Sequence, residues 1–467
     1  MTEIQDTEIE SVLYELVEPI ATAAGVPQGR LKIHIINNDE FNAFVGGGED
    51  VYINTGLIAQ VKNPNAVQAV VAHELGHMVG GHMAQMSARM DAEMKRSLAV
   101  QALGIALMFI NPMAGAGLMA GASGMANQGL MAFTRDEERV ADNMGIDLLV
   151  KSRVSTDGFT EVMRQMNDMV GAAESRVNPF NISHPLTTER IQNAKEKIKE
   201  TKGAKSGGAT AEQKKKYALV RAKIIGYLSS AAHVSDVYPS SDKSDGAVYA
   251  RAIAAMRAGN LAAAKTGTLV LVTRSPKNPF FYELLGDIEY QYGHYDDSIV
   301  AYEKSLELIN EPTPRDFVAT PAARAGGGKT APQIQVALAL VLSERAKPAG
   351  GARPPNAPNG GLGESALPQS DTDRAIELAK RANLGAPSPL AYWVLARAYQ
   401  AKADGDAKDK TGLSGISDWA MAEFYAAQHD AKNAKKYAAS AQKKLQKSAP
   451  EYIKSGDILK SDAEEDD

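Results

Sequence analysis

Apolar residues at Ile9, Val12, Leu13, Leu16, Val17 and Ile20 recur at helical spacing and predict a helix over residues 8–24. The period then shortens. "LKIHIIN" from Leu31 alternates and is β-rich, so it reads as a strand. "NAFVGGGEDVYIN" from Asn42 is two short extended runs around Gly46-Gly47-Gly48, a hairpin signal. A helix is expected from about Asn65, and a second one along "FTRDEERVADNMGIDLL" from Phe133. Between them, Ser97 to Thr134 carries no charged residue. Leu98–Ile110 is cut short by Asn111-Pro112, too short for the roughly 20 apolar residues a membrane span needs. The stretch 97–134 reads as an apolar lid or hairpin, with contact to a membrane surface as the alternative.

"KGAKSGGATAEQKKK" from Lys202 is a Gly/Lys-rich linker and marks a domain boundary. After Gly246 the pattern repeats: "YARAIAAMRAGNLAAA" and "LLGDIEYQYGHYDDSIVAY" superpose, with Gly259 and Gly293 34 positions apart. That period, with alternating small and aromatic residues, is the tetratricopeptide signature. "YWVLARAYQ" from Tyr392 and "WAMAEFYAAQHDAKNAKKYA" from Trp419 fit as further helix-turn-helix units. Pro/Gly-rich stretches at 318–332 and 346–370 read as disordered insertions. The expected organisation is therefore a first domain over 1–200 and a linker with a connecting helix over 201–245. A repeat domain over 246–450 and an acidic tail over 451–467 follow.

Composition narrows the chemistry. A chain of 467 residues exceeds a single core, and a net charge of −5 offers no basic footprint, which argues against nucleic acid as a partner. The absence of cysteine removes thiol nucleophiles, thiolate zinc sites and disulfides. The start, Met1-Thr2-Glu3-Ile4-Gln5-Asp6, is polar and acidic, unlike a secretory signal; either the chain is cytosolic or a signal has been removed.

The candidate chemistry lies in "VVAHELGHMVGGHMAQM" from Val70. His73 and His77 are four apart, so on a helix both imidazoles leave one face and can take a zinc ion. Glu74 beside them is placed to act as general base on a metal-bound water. His82 sits nine residues after His73, on the opposite face of a continuing helix, and is expected to make a structural hydrogen bond. The third ligand is expected from the second helix. Glu138 and Asp142 share a face there, the glutamate for the metal and the aspartate for the free N–H of a zinc-bound histidine. His184, read alone, is a loop histidine.

"HELGHMVGGH", "TRDEERVAD" and "SHPLTTERI" in this order resemble the HtpX/Oma1/BepA-type zinc metallopeptidases, relatives of the CAAX prenyl protease, over roughly residues 8–200. The resemblance implies one zinc ion per chain on His73, His77 and Glu138, with Glu74 as catalytic base and Asp142 behind the ligands. It implies that Asn42, Ala43 and Phe44 form the strand that receives substrate, and that His184 can take the fourth metal position as a regulatory ligand. A following repeat domain points to the periplasmic, BepA-like branch linked to outer-membrane protein assembly. Thr134 and Val140 depart from that family's usual residues.

The expected fold is thus an α+β, gluzincin-like metallopeptidase domain, mainly helical with a small sheet, followed by an all-α tetratricopeptide solenoid. The expected function is a zinc endopeptidase acting on unfolded or misassembled envelope proteins. Its repeat domain would bind the outer-membrane assembly machinery or client proteins. The alternative is a chaperone or adaptor with a largely latent protease site.

Overall fold

The structure is a computed structural model that describes residues 2–46, 49–82, 135–172, 184, 186–201, 207–310, 331–345, 369–385, 387–406 and 408–461. The expected lid at 97–134 lies outside these residues, as do 318–330 and 346–368 of the two expected insertions. The chain divides into two compact units, one of Met1–Gln5 with Val12–Ile224 and one of Asp6–Ser11 with Ile225–Asp467.

The first unit holds the sheet. Strand β1 (Thr2–Ile4), helix α1 (Thr7–Ala23) and strands β2 (Lys32–Asn37), β3 (Ala43–Val45) and β4 (Asp50–Asn54) come first. The sheet order is β1-β2-β4-β3; β2 and β4 run parallel, and the outer pairs antiparallel. Ile33, Ile35, Ala43, Val45, Val51 and Ile53 are buried, as the period of two requires. The Tyr14 hydroxyl fixes α1 to the start of β2: it donates to Leu31 O at 2.7 Å and accepts from Ile33 N at 3.0 Å.

After α2 (Thr55–Gln60) comes α3 (Pro64–Val79), whose residues are buried from Pro64 to His77 on every side. A helix buried on every side belongs in the middle of a unit. Pro64 sits in its first turn, and the Asn63 side chain caps it by accepting from Asn65 N. Helices α4 (Arg135–Lys151), α5 (Asp157–Ala172) and α6 (Thr188–Glu200) follow, and α3 packs against α4, α5 and β3. The α3–α4 contact depends on two glycines. A Cβ on Gly76 would stand 2.5 Å from Ala141 O, and one on Gly145 3.0 Å from Ala72 O. Their absence lets the two backbones touch, which brings the carboxylates of α4 onto the histidine face of α3. Helix α7 (Ala211–Leu228) then falls within the stretch expected to connect the domains.

The second unit is helical: α8 (Ala231–Val237), α9 (Asp245–Arg257), α10 (Leu261–Arg274), α11 (Pro279–Tyr292) and α12 (Tyr295–Asn310) come first. They are followed by α13 (Pro332–Arg345), α14 (Gln369–Gly385), α15 (Pro389–Gly405), α16 (Lys410–Ala426), α17 (Ala431–Lys444) and α18 (Pro450–Lys460). Gly259 and Gly293, aligned by the repeat, both turn the chain at positive φ, 77° and 80°. The equivalent turn between α16 and α17 places His429 there at φ 58°. The core is apolar and aromatic, around Tyr302, Ile334, Leu338, Trp393, Tyr399 and Trp419. Residues 451–460, expected within an acidic tail, lie in α18, where Gln442 Nε2 donates to Tyr452 O at 3.3 Å. No helix among the described residues is long and apolar enough to cross a membrane.

Candidate metal centre

His73 and His77 leave α3 on one side, and their Nε2 atoms lie 3.1 Å apart. Glu138 of α4 meets them, with Oε2 3.5 Å from His73 Nε2 and Oε1 3.3 Å from His77 Nε2. His184 completes the group: its Nδ1 is 2.8 Å from Glu138 Oε1 and 3.4 Å from His73 Nε2. One donor atom from each of the four lies within 4.8 Å of the others. Zinc–nitrogen bonds of roughly 2.0–2.1 Å set tetrahedral edges of about 3.3 Å, so these spacings fit a tetrahedral dication.

The outward atoms of both imidazoles are spoken for. His73 Nδ1 is 2.9 Å from Asp142 Oδ1, which fixes the proton on Nδ1 and leaves the Nε2 lone pair facing the group. His77 Nδ1 is 3.0 Å from His82 Nδ1. A continuing helix would carry His82 to the far side, but α3 ends at Val79. Gly80 caps it and Gly81, at φ 69°, turns the chain back. The pair Gly80-Gly81 was the signal, and the expected hydrogen bond lands on a candidate ligand.

Arg190 had been given no role in the sequence. It is buried, with Nε and Nη2 donating to Asp142 Oδ2 and Oδ1, both at 2.8 Å, and Nη1 2.5 Å from Glu138 Oε2. Thr187 caps α6 by accepting from Arg190 N, which sets the first turn of that helix, and hence the guanidinium, against α4. The spacing His184–Arg190 in "SHPLTTERI" was the trace it left in the sequence.

Glu74 is buried, and its Oε1 has no hydrogen-bond partner among the described residues. Burial raises its pKa to about 8. Burial lowers that of His77 to about 3, which keeps the imidazole neutral, the form that ligates a metal. Burial alone would raise Glu138 and Asp142, but hydrogen bonds from His184 and His77 hold Glu138 below its ordinary value, and those from Arg190 and His73 do the same for Asp142. Both stay ionised.

Elsewhere in this unit, Asn42, Ala43 and Phe44 lie at the edge of the sheet, where no described strand pairs with the outer side of β3. Asn54 N donates to Asn42 O and Gly46 N to Asp50 O. By alternation the backbone of Phe44 also faces β4, and that of Ala43 and Val45 faces outward. Asn42 Oδ1 is shielded from solvent without a donor among the described residues.

A helix-borne His-Glu-x-x-His facing the carboxylates of a second helix defines a metallopeptidase unit. Residues 4–198 match the model of peptidase family M48. The chain is 26% identical over 287 residues to a beta-barrel assembly-enhancing protease of Escherichia coli, covering 60% of this chain and 57% of the relative. It is 30% identical over 160 residues to the metalloprotease YcaL of the same organism, covering 34% and 59%. It is 25% identical over 189 residues to the mitochondrial metalloendopeptidase OMA1 of Schizosaccharomyces pombe, covering 40% and 52%. The chain thus spans less than two thirds of the length of these relatives.

Proposed function

We propose that the chain is a zinc-dependent endopeptidase of the periplasm that cleaves unfolded or misassembled outer-membrane proteins. Its helical second unit, read as a tetratricopeptide array, would hold those clients or the assembly machinery. The observation that carries the peptidase reading is the convergence of His73, His77 and Glu138 donor atoms beside Glu74 Oε1, which has no hydrogen-bond partner among the described residues and lies 3.6 Å from His184 Nε2. The link to outer-membrane assembly rests on the name of the beta-barrel assembly-enhancing relative, and the periplasm follows from it.

His73, His77 and Glu138 would hold the zinc ion. When bound, the ion supplies Lewis acidity towards the scissile carbonyl and lowers the pKa of its water. The side chains do the rest. Glu74 Oε1 takes a proton from the attacking water and returns it to the leaving amine. Glu74 serves as base in its ionised form, which a dication held beside it would favour. Asp142 and His82 hold the two imidazoles, and Arg190 holds Asp142 and Glu138. An extended substrate pairs with the outward backbone of Ala43 and Val45.

His184 Nδ1 stands at the fourth corner, where the attacking water belongs, so we read His184 as an autoinhibitory latch. A zinc site latent behind His184 also favours the second reading, a chaperone or adaptor that rarely cuts. The deciding measurement is zinc content together with cleavage of an unfolded barrel protein by wild type, Glu74→Gln and His184→Ala. One zinc per chain, faster cleavage by His184→Ala and about 10²- to 10⁴-fold slower cleavage by Glu74→Gln are expected. Proteolysis retained in zinc-loaded Glu74→Gln overturns the peptidase mechanism. Unchanged or lower cleavage by His184→Ala with zinc intact overturns the latch. No cleavage by any zinc-loaded form turns the reading to the adaptor.

A further inference from the structure

We propose that Phe44 selects an aromatic side chain at one position of the extended segment bound along β3. The inference rests on the reading of β3 as the strand that receives substrate. The register places Phe44, Tyr52 and His34 directly opposite one another on β3, β4 and β2. Their rings form one stacked row. Tyr52 lies 4.7 Å from Phe44 at 7° and 4.5 Å from His34 at 15°. Those spacings lie close to the distance of about 4.7–4.9 Å between neighbouring strands.

The row is held in place from its inner end. His34 Nδ1 is 2.8 Å from Glu3 Oε1 and its Nε2 2.7 Å from Asp50 Oδ1, so the ring cannot turn without losing a carboxylate. Gly46 makes room for Tyr52, since a Cβ there would stand 2.7 Å from the tyrosine ring. Phe44 is only half-buried, and β3 is an edge strand, so the row ends there with one ring face unstacked by any described residue.

A strand added beside β3 stands one strand spacing further out. Its backbone pairs with Ala43 and Val45. In an antiparallel pairing the residue opposite Phe44 is then in a non-hydrogen-bonded position, where cross-strand side chains approach most closely. A flat ring at that position continues the row, whereas an alanine leaves the outer face of Phe44 wet. The preferred ligand is therefore an extended, alternating polypeptide with an aromatic residue facing Phe44. Strands of outer-membrane barrels carry that pattern at their aromatic girdles.

The test uses the full zinc-loaded chain carrying Glu74→Gln and His184→Ala, which binds without cutting. A single tryptophan is moved stepwise through a labelled threonine/alanine peptide, and Kd is measured at each position. One position is expected to bind about five- to ten-fold tighter than its alanine counterpart. Phe44→Leu, which keeps the strand apolar, is expected to bring that ratio to within about two-fold of one, whereas Tyr52→Phe, which keeps a flat ring in the row, retains it. An equal Kd at every position, or a preference that survives Phe44→Leu, overturns the proposal. Cleavage of the same peptides by the His184→Ala chain is a separate readout. Its absence beside an intact aromatic preference overturns the peptidase reading and supports the role of Phe44.

Discussion

The two units spend their interiors differently. At the centre of the first, seven ionisable side chains from α3, α4, α6 and the residue His184 are buried together, none more than 6% exposed. The centre of the second is aliphatic and aromatic; its ion pairs either lie at the rim, as Lys402–Asp373 does at 2.6 Å, or bury a single carboxylate against a part-exposed cation, as Glu289–Lys265 does. Ionisable groups are costly to bury, and a packed apolar core of the same size is usually as stable or more so. The first unit therefore carries its polar centre for chemistry, while the second needs only to hold a shape. Shifted groups occur in both units, as Tyr302 and Glu423 show in the second, but in the first Glu74, His77, Glu138 and Asp142 are shifted together at one place.

The contrast is sharpest if one partner is removed in each unit. Arg190→Ala strands Asp142 and Glu138 in the interior and is expected to cost about 3–5 kcal/mol in urea unfolding of the first unit. Lys402→Ala should cost less than about 1 kcal/mol in the second. Equal costs would break the distinction between a functional interior and a scaffold. Asp142→Asn is next in size. It keeps the shape but weakens the hold on His73, and zinc affinity measured against a competing chelator should fall about 10- to 100-fold.

A smaller effect tests the sheet. The pKa of His34 is raised above 6.5: burial opposes the charge, but hydrogen bonds to Asp50 and Glu3 outweigh it. Its contribution is fully present below the unfolded value of about 6.5 and is lost as pH rises through the higher folded value. Lys32 also faces Asp50, at 3.9 Å. Hydrogen exchange at β1, corrected for intrinsic rates, should therefore show less protection above neutral pH, and His34→Gln should remove that dependence. The smallest effect belongs to the second unit. His429→Gly relieves a left-handed turn that Gly259 and Gly293 make freely, and should raise stability by about 1 kcal/mol in thermal unfolding. A loss would mean that the His429 side chain does something at the turn.

How much of this was legible depended on whether the determinant was local. Helix α1, strand β2, the β3–β4 hairpin and helix α3 follow from apolar periodicity, and the i, i+4 pairs His73/His77 and Glu138/Asp142 share faces by helix geometry alone. Strand β1 was read only as a polar start, because three residues with one half-buried side chain become a strand through their pairing with β2. Arg190 was invisible for a related reason. Its meaning lies in two carboxylates 48 and 52 positions away, and apart from its spacing from His184 nothing in its own neighbourhood distinguishes it from a surface residue of an amphipathic helix. His82 was misplaced because a straight helix was carried through two glycines.

The ionic inventory at the α3–α4 contact has a consequence beyond catalysis. Glu74, Glu138 and Asp142, when all are ionised, bring three negative charges to a dry place where Arg190 returns one positive charge, and a divalent ion makes the total neutral. Whatever binds only the folded form adds its binding free energy to the stability of that form. Supply of the ion is therefore expected to govern how long the molecule survives as well as how fast it works, and a molecule starved of it becomes prey to other proteases.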